Sequence, residues 1–333
     1  TEVVVINKTD FDLFLNEIEH EPGYEGIGYE SFETWEGIIE ASEAYYNWTA
    51  RDSDIMDDGK ALFGLDAVAN FIFSSHMQLG EELMTVSDGI GTLNLKSAAL
   101  RKVWDSYYTP MVKGYYASFG RFRSDDMKTG DILAFLGSST SGAYLPDAVV
   151  NDDGSTYPIE TAVMPMPCFS GGTPSAIQQG AGVAIIKSTE EREVAAAQFM
   201  LWCTQPERNI DFATKSSYLP VTVEAIDTLA AAYAGNSDSD PQTAVLRTAI
   251  EQIASGYLMY VPPVFEDSYK IRNILETELV NAAGNNRSQV VSEMTAGAGY
   301  DYTVGKYTDS GYYNDFLDVC TREMASLNVN LVR

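Results

Sequence analysis

The sequence predicts an α/β fold, and three observations carry that prediction. Short β-branched or apolar runs stand at 2–7, 132–136 and 161–167. Between and beyond them lie longer segments with apolar residues at helical spacing, at 61–79, 95–108, 190–203 and 243–254. The two periods alternate along the chain, which is the pattern of strands covered by helices.

Taken in order, Val3, Val4, Val5 and Ile6 are apolar without a break, so the first run reads as a strand buried on both faces. Residues 11–18 continue as a short helix. A second helix opens at Thr34, whose hydroxyl can cap the first turn, with Glu36 suited to the positive end of the helix dipole. Segment 61–79 reads as one amphipathic helix carrying Phe63, Phe71 and Phe73. Segment 95–108 reads as another, with Leu95, Leu100, Val103 and Tyr107 at helical spacing. The strand at 132–136 runs into the loop 137–142, after which a helix is expected over 143–150. Prolines end the strand 161–167. An apolar stretch bearing Gly180 and Gly182 leads as a strand into the helix 190–203, where Cys203 is expected as a small core residue beside Trp202. Helices are further expected at 243–254, 267–283, 288–294 and 312–327. Residues 257–263 are extended, because a residue before proline avoids the helical region.

Composition narrows the function. A chain of 333 residues that is 45% hydrophobic builds a large core, as one big domain or two lobes. Asp and Glu number 48 against 21 Lys and Arg, a formal net charge of -27. Such a surface repels nucleic acid and anionic lipid, so neither is an expected partner. No run approaches the ~20 apolar residues that span a bilayer. Cys168, Cys203 and Cys320 are odd in number and far apart, which is no disulfide framework and no zinc spacing. His20 and His76 are isolated, so no metal pair, histidine triad or cofactor is expected. The acidic run 52–59 looks like a calcium loop, but its aspartates do not alternate correctly and no Glu closes it.

One order of segments is more specific. The glycine-bearing run 179–188 leads into the helix 190–203; then come Thr204, Pro206 and Glu207, and the string Tyr218-Leu219-Pro220-Val221. This succession resembles the extracellular solute-binding proteins of ABC importers, in the family that captures sugars and glycerol phosphates. The resemblance implies a two-lobed, periplasmic-binding type II-like α/β fold and a role in capture, not catalysis. It implies a sugar, oligosaccharide or glycerol-phosphate solute, an ABC permease as partner, and an extracellular or periplasmic place. No signal peptide is read ahead of Val3, and any lipid-anchor cysteine would lie upstream. Strand 2–6 matches the first strand that passes between lobes, so the family's first third is expected to be missing. On that reading 1–182 and 259–333 form a complete C-terminal lobe with its hinge crossings. Residues 183–258 form the returning part of an incomplete N-terminal lobe, and the helix 190–203 needs a partner for its apolar face.

Sugar clefts use hydroxyls, amides and aromatic faces more than strong acids. Four segments supply them. Ser138, Ser139, Thr140 and Ser141, with Tyr144, follow a strand end; the plain alternative is a loop of small residues. Gln178 and Gln179 stand beside two glycines, at a hinge or at the ligand. Phe265, Tyr269 and Arg272 match by resemblance the family's aromatic crossing, and Arg272 suits a phosphate or carboxylate; they could equally serve the core and an ion pair. Asp66 and Asn70 fall near a cleft-lining helix start. Two rival classes are a glycoside hydrolase, which needs paired carboxylates in a cleft, and an adhesion or scaffold module, which needs a flat apolar patch.

Overall fold

The computed structural model describes residues 1–52, 59–234 and 240–332. The chain opens with β1 (Glu2–Asn7), α1 (Lys8–Ile18) and α2 (Trp35–Thr49). Next come β2 (Phe63–Leu65), α3 (Val68–Gln78), β3 (Met84–Ser87), β4 (Ile90–Asn94) and α4 (Ala98–Lys113). α5 (Arg123–Lys128) precedes β5 (Ala134–Ser138), and a 3-10 turn at Ser139–Tyr144 leads to β6 (Ala148–Val150), β7 (Thr156–Pro158), β8 (Thr161–Pro165) and β9 (Ser175–Ile177). Four helices follow: α6 (Glu190–Cys203), α7 (Pro206–Ser216), α8 (Val223–Tyr233) and α9 (Pro241–Ala254). The chain ends with β10 (Leu258–Tyr260), α10 (Ser268–Thr295), α11 (Tyr300–Tyr307), α12 (Gly311–Glu323) and β11 (Val329–Val332).

The main sheet has the order β2-β5-β1-β8. β1 is central and antiparallel to both neighbours, with Glu2 opposite Ser138 and Val3 opposite Pro165. β2 pairs with β5 in parallel. Successive side chains of a strand point to opposite faces. Val4 and Ile6 therefore join the large core under α1, α2, α3, α4 and α10, where the Trp35 and Phe71 rings meet edge-on at 4.6 Å. Val3 and Val5 join a second layer with Phe135, Val245 and Ala249. Each such fully buried apolar side chain contributes about 1.5–3 kcal/mol. As expected, Thr34 starts α2: its Oγ1 accepts from the Gly37 amide at 3.0 Å.

Several expectations are corrected. Segment 61–79 is not one helix, because 61–65 is a buried apolar run whose last three residues form β2; a Cβ on Gly64 would stand 2.7 Å from the Ala117 carbonyl oxygen. A short buried run carries no period that separates strand from helix. No helix fills 143–150: Leu145 precedes Pro146, and β6 pairs with β7 instead. The two helices at 267–283 and 288–294 are one, since the core residues Leu279, Ala283 and Val290 hold α10 straight through Gly284. The run 183–188 finds no strand beside it among the described residues and stays unpaired, with Val183 71% and Ile186 85% exposed. Cys203 is not core, because α6 buries none of its residues. α9, grouped with 183–258 in the expected division, packs against the main sheet. Its Val245 and Ala249 pack on β1 and β5, so it belongs to the main sheet, while α7 and α8 lie on its outer side around Leu246 and Ile250. The run 52–59 falls largely outside the described residues.

Candidate functional site

The register puts one edge of the sheet in view. The C-terminal ends of β2, β5 and β8 and the first residue of β1 all lie there, since Glu2 faces Ser138 and Val3 faces Pro165. Ligands of open α/β sheets bind outside such carboxyl ends. β9 and β10 run side by side and deliver Gln178 and Val261; the Gln178 amide donates to the Tyr260 carbonyl at 2.8 Å.

Asn70, on the first turn of α3, is the hub of this edge and is fully buried. Its Nδ2 donates to Glu2 Oε1 and to Gln179 Oε1, each at 2.9 Å, and its Oδ1 accepts from Arg272 Nη2 at 2.9 Å. Three residues singled out in distant parts of the sequence therefore meet. Gln179 Nε2 also donates to the Thr1 carbonyl at 3.4 Å, and the Ser139 amide donates to the same oxygen at 2.9 Å. This ties the 139–144 turn to the hub. Asp66 lies against the foot of that turn, because a Cβ on Gly137 would stand 2.8 Å from its Oδ2. Its Oδ1 accepts from the Arg123 amide at 2.8 Å.

The remaining candidates divide. Ser138 caps its own turn, with Oγ accepting from the Thr140 amide at 3.3 Å and lying 3.0 Å from Thr140 Oγ1. Ser141 Oγ is buried with no hydrogen-bond partner among the described residues, and Tyr144 projects with 79% of its surface exposed. Tyr269 is also exposed, on the first turn of α10. Gln178 is exposed, and Phe265 is occupied, since its ring is pressed against Gly91 of β4.

Sequence reasoning missed Glu2, Gln252 and Glu276. Gln252 is fully buried on α9; its Oε1 accepts from the Met166 amide at 2.7 Å, and its Nε2 donates to Thr1 Oγ1 at 3.0 Å. Glu276 Oε1 accepts from the Ala69 amide at 3.0 Å and satisfies the start of α3, whose cap residue Ala67 has no side-chain acceptor. A signal existed for Glu2, a charged residue heading an otherwise apolar, buried strand.

Electrostatics follow from burial. Burial pushes the Glu2 carboxyl up to about 7, against the pull of the Asn70 bond and the Arg272 charge, and Asp66 adds to the rise. Burial also raises Asp66, opposed by its bond from Arg123 and that guanidinium's charge. His76 is buried with Nδ1 2.7 Å from the Ile72 carbonyl, which leaves it outside this chemistry. Among the described residues no cluster of His, Cys, Asp or Glu could hold a metal. The site is an edge, not a pocket. A cleft of about 550 Å³ lies at the opposite end of β1, lined by Asp10, Leu13, Tyr45, Trp48, Arg51 and Tyr157 among others. The edge offers amides, hydroxyls and a guanidinium, groups that can hydrogen-bond a polar solute.

A family model described as bacterial extracellular solute-binding protein matches residues 1–245. A search of curated protein sequences returns no match. Among solved structures, the cyclic α-maltosyl-1,6-maltose binding protein from Arthrobacter globiformis superposes with a TM-score of 0.62 at 14% identity, covering 98% of this chain and 70% of that one. UgpB from Mycobacterium tuberculosis, in complex with glycerophosphocholine, gives 0.58 at 19% identity, covering 96% and 68%. The galacto-N-biose-/lacto-N-biose I-binding protein from Bifidobacterium longum, in complex with lacto-N-biose, gives 0.57 at 11% identity, covering 99% and 69%. These likenesses establish the fold, and the family match covers well over half of the chain. The chain belongs to the bacterial extracellular solute-binding proteins, which hold a small molecule and do not transform it.

Proposed function

We propose that this protein captures a sugar, oligosaccharide or glycerol-phosphate-type solute between two lobes and presents it to an ABC permease. It would work outside the cytoplasm, in the periplasm or held at the cell surface by a lipid anchor. The observation that carries the reading is the hydrogen-bonded union of Asn70, Gln179 and Arg272 at the carboxyl edge of the sheet. The solved relatives named above, with a maltosyl-maltose, a glycerophosphocholine and a lacto-N-biose in their names or complexes, support the solute class.

On this proposal one lobe comprises 1–182 and 241–333, and 183–234 belongs to the other. The solute contacts are Asp66, Gln179, Arg272, Tyr269 and the 138–144 turn, with Asn70 beneath them and Gln178 and Phe265 at the margin. The apolar strip along 183–223 is the inner side of the second lobe, where further chain of that lobe would sit. Closure of the lobes would bias the receptor toward the form the permease recognises. With little of the second wall in this chain, binding here is weak.

A thermal-shift titration with maltose, lacto-N-biose, glycerophosphocholine and glycerol 3-phosphate tests the reading. One class is expected to raise the melting point by mass action, a gain of about 2.7 kcal/mol at one hundred times Kd. Arg272→Ala is expected to abolish that rise. A panel that leaves the melting point unmoved at every concentration, or a rise that survives Arg272→Ala in full, overturns it.

A further inference from the structure

We propose that Glu2 is the positioning residue of the solute site, fixing the Asn70 amide so that Arg272 is held at the cleft edge. This rests on reading the carboxyl edge of the sheet as that site. A side-chain amide buried among groups that both donate and accept has two orientations 180° apart. Asn70 has one. A guanidinium can only donate, so Arg272 Nη2 at 2.9 Å requires Oδ1 on its side. The Glu2 carboxyl oxygen at 2.9 Å accepts, so it requires Nδ2 on the other side. The two demands agree, and Gln179 Oε1 takes the second Nδ2 hydrogen.

Removing the Glu2 acceptor leaves the Nδ2 donor inside a buried site with one partner fewer. It also removes the one group that pins this end of the amide from within the sheet. Glu2 is held in turn by its place on β1, opposite Ser138 in the centre of the sheet, and by Gln252, whose Nε2 lies 3.4 Å from the Glu2 carbonyl. Rigidity therefore passes from the sheet to Glu2, to Asn70, and out to the guanidinium. Asn70 and Glu2 are both 1% exposed, so the relay works from beneath the site and makes no demand on solute identity.

The test compares Glu2→Gln with Glu2→Leu. Gln keeps an acceptor for Asn70 Nδ2; Leu keeps the bulk and removes it. The first readout needs no solute: the Nε–Hε resonance of Arg272 in 15N-labelled protein, assigned with Arg272→Lys. Glu2→Gln is expected to leave that resonance single and close to its wild-type shift, whereas Glu2→Leu moves or broadens it. The second readout is affinity for whichever member of the panel above binds wild type. Glu2→Gln is expected within about threefold of wild type and Glu2→Leu about tenfold weaker or worse. Should Glu2→Leu fail to fold, Asn70→Ala removes the amide with Glu2 in place and must release the Arg272 resonance in the same way. An Arg272 resonance unmoved in both Glu2→Leu and Asn70→Ala overturns the proposal, as does loss of affinity in Glu2→Gln equal to that in Glu2→Leu. If no solute in the panel binds wild type, the capture reading fails while the resonance still decides the role of Glu2.

Discussion

α6 and α9 are each 14 residues long, and they end in opposite situations. α9 buries Ala244, Val245, Leu246, Thr248, Ala249, Ile250 and Gln252, whereas α6 buries nothing. Both are well-formed helices. α6 has Glu190, Glu191 and Glu193 in its first turn, where negative charge suits the dipole, and a run of three alanines with high helix propensity. Forming a helix is thus a local matter, decided by residues in sequence. Burying one requires a surface elsewhere, and only α9 has it, in Val3, Val5 and Phe135 of the main sheet. The comparison separates what each region does for this chain: α9 holds the sheet and, through Gln252, the floor of the site, while α6 carries its apolar side chains in the open.

The largest effect that tests the contrast is a charge placed on each helix. Val245→Asp puts an unpaired carboxylate into a layer with no exposure and should cost about 4 kcal/mol or more in urea unfolding. Leu201→Asp, at a position 71% exposed, should cost no more than about 0.5 kcal/mol. Equal losses would break the contrast.

A smaller effect comes from pH. Glu2 is raised in the fold to about 7 from 4.5, so its contribution is full below 4.5 and is lost as pH climbs through about 7. The groups facing it are the Thr1 amine, Asp66 and Arg272. Wild type should therefore lose up to about 3 kcal/mol across that window relative to Glu2→Gln, measured as the difference between their unfolding free energies at pH 5 and pH 8. Parallel pH profiles would place Glu2 in contact with water.

Gln252→Leu should cost about 1–3 kcal/mol, because it strands the Met166 amide that now donates at 2.7 Å. A substitution on the bare side is the least costly: Trp202→Ser on α6 should leave the unfolding free energy within about 0.5 kcal/mol of wild type. It should raise solubility, since it breaks an exposed apolar strip that includes Phe199 stacked on Trp202 at 5.8 Å. A marked fall in midpoint would mean that Trp202 has a partner in solution.

Much of the fold was legible for reasons the comparison makes plain. An unbroken β-branched run such as Val3 to Ile6 has one stable home, the centre of a sheet, and it is there. The Thr34 cap and the prolines at 165 and 167 mark ends by local chemistry. What failed was decided at a distance. Residues 63–65 became strand because β5 pairs with them, and α10 ran on through Gly284 because Leu279, Ala283 and Val290 share a core. α9 joined the main sheet because its partner layer lies at the other end of the sequence. At the site, Asn70, Gln179 and Arg272 were each plausible alone, but nothing in their spacing says that they bond one another. Glu2 stood out only as an acid heading a buried apolar run; one acid beside four apolar residues carries no period that names its partner.

Gln179 is fastened on two sides, by Asn70 and by the Thr1 carbonyl, while a methyl group added at Gly180 or Gly182 would touch nothing within 4 Å. The fastening stops at one residue and the slack begins at the next. On the proposed division of the chain, a swing of the second lobe would draw on 180–182, where glycine backbone rotates most freely. The clasped amide at 179 is the nail in this door frame, and the two glycines are its leather strap.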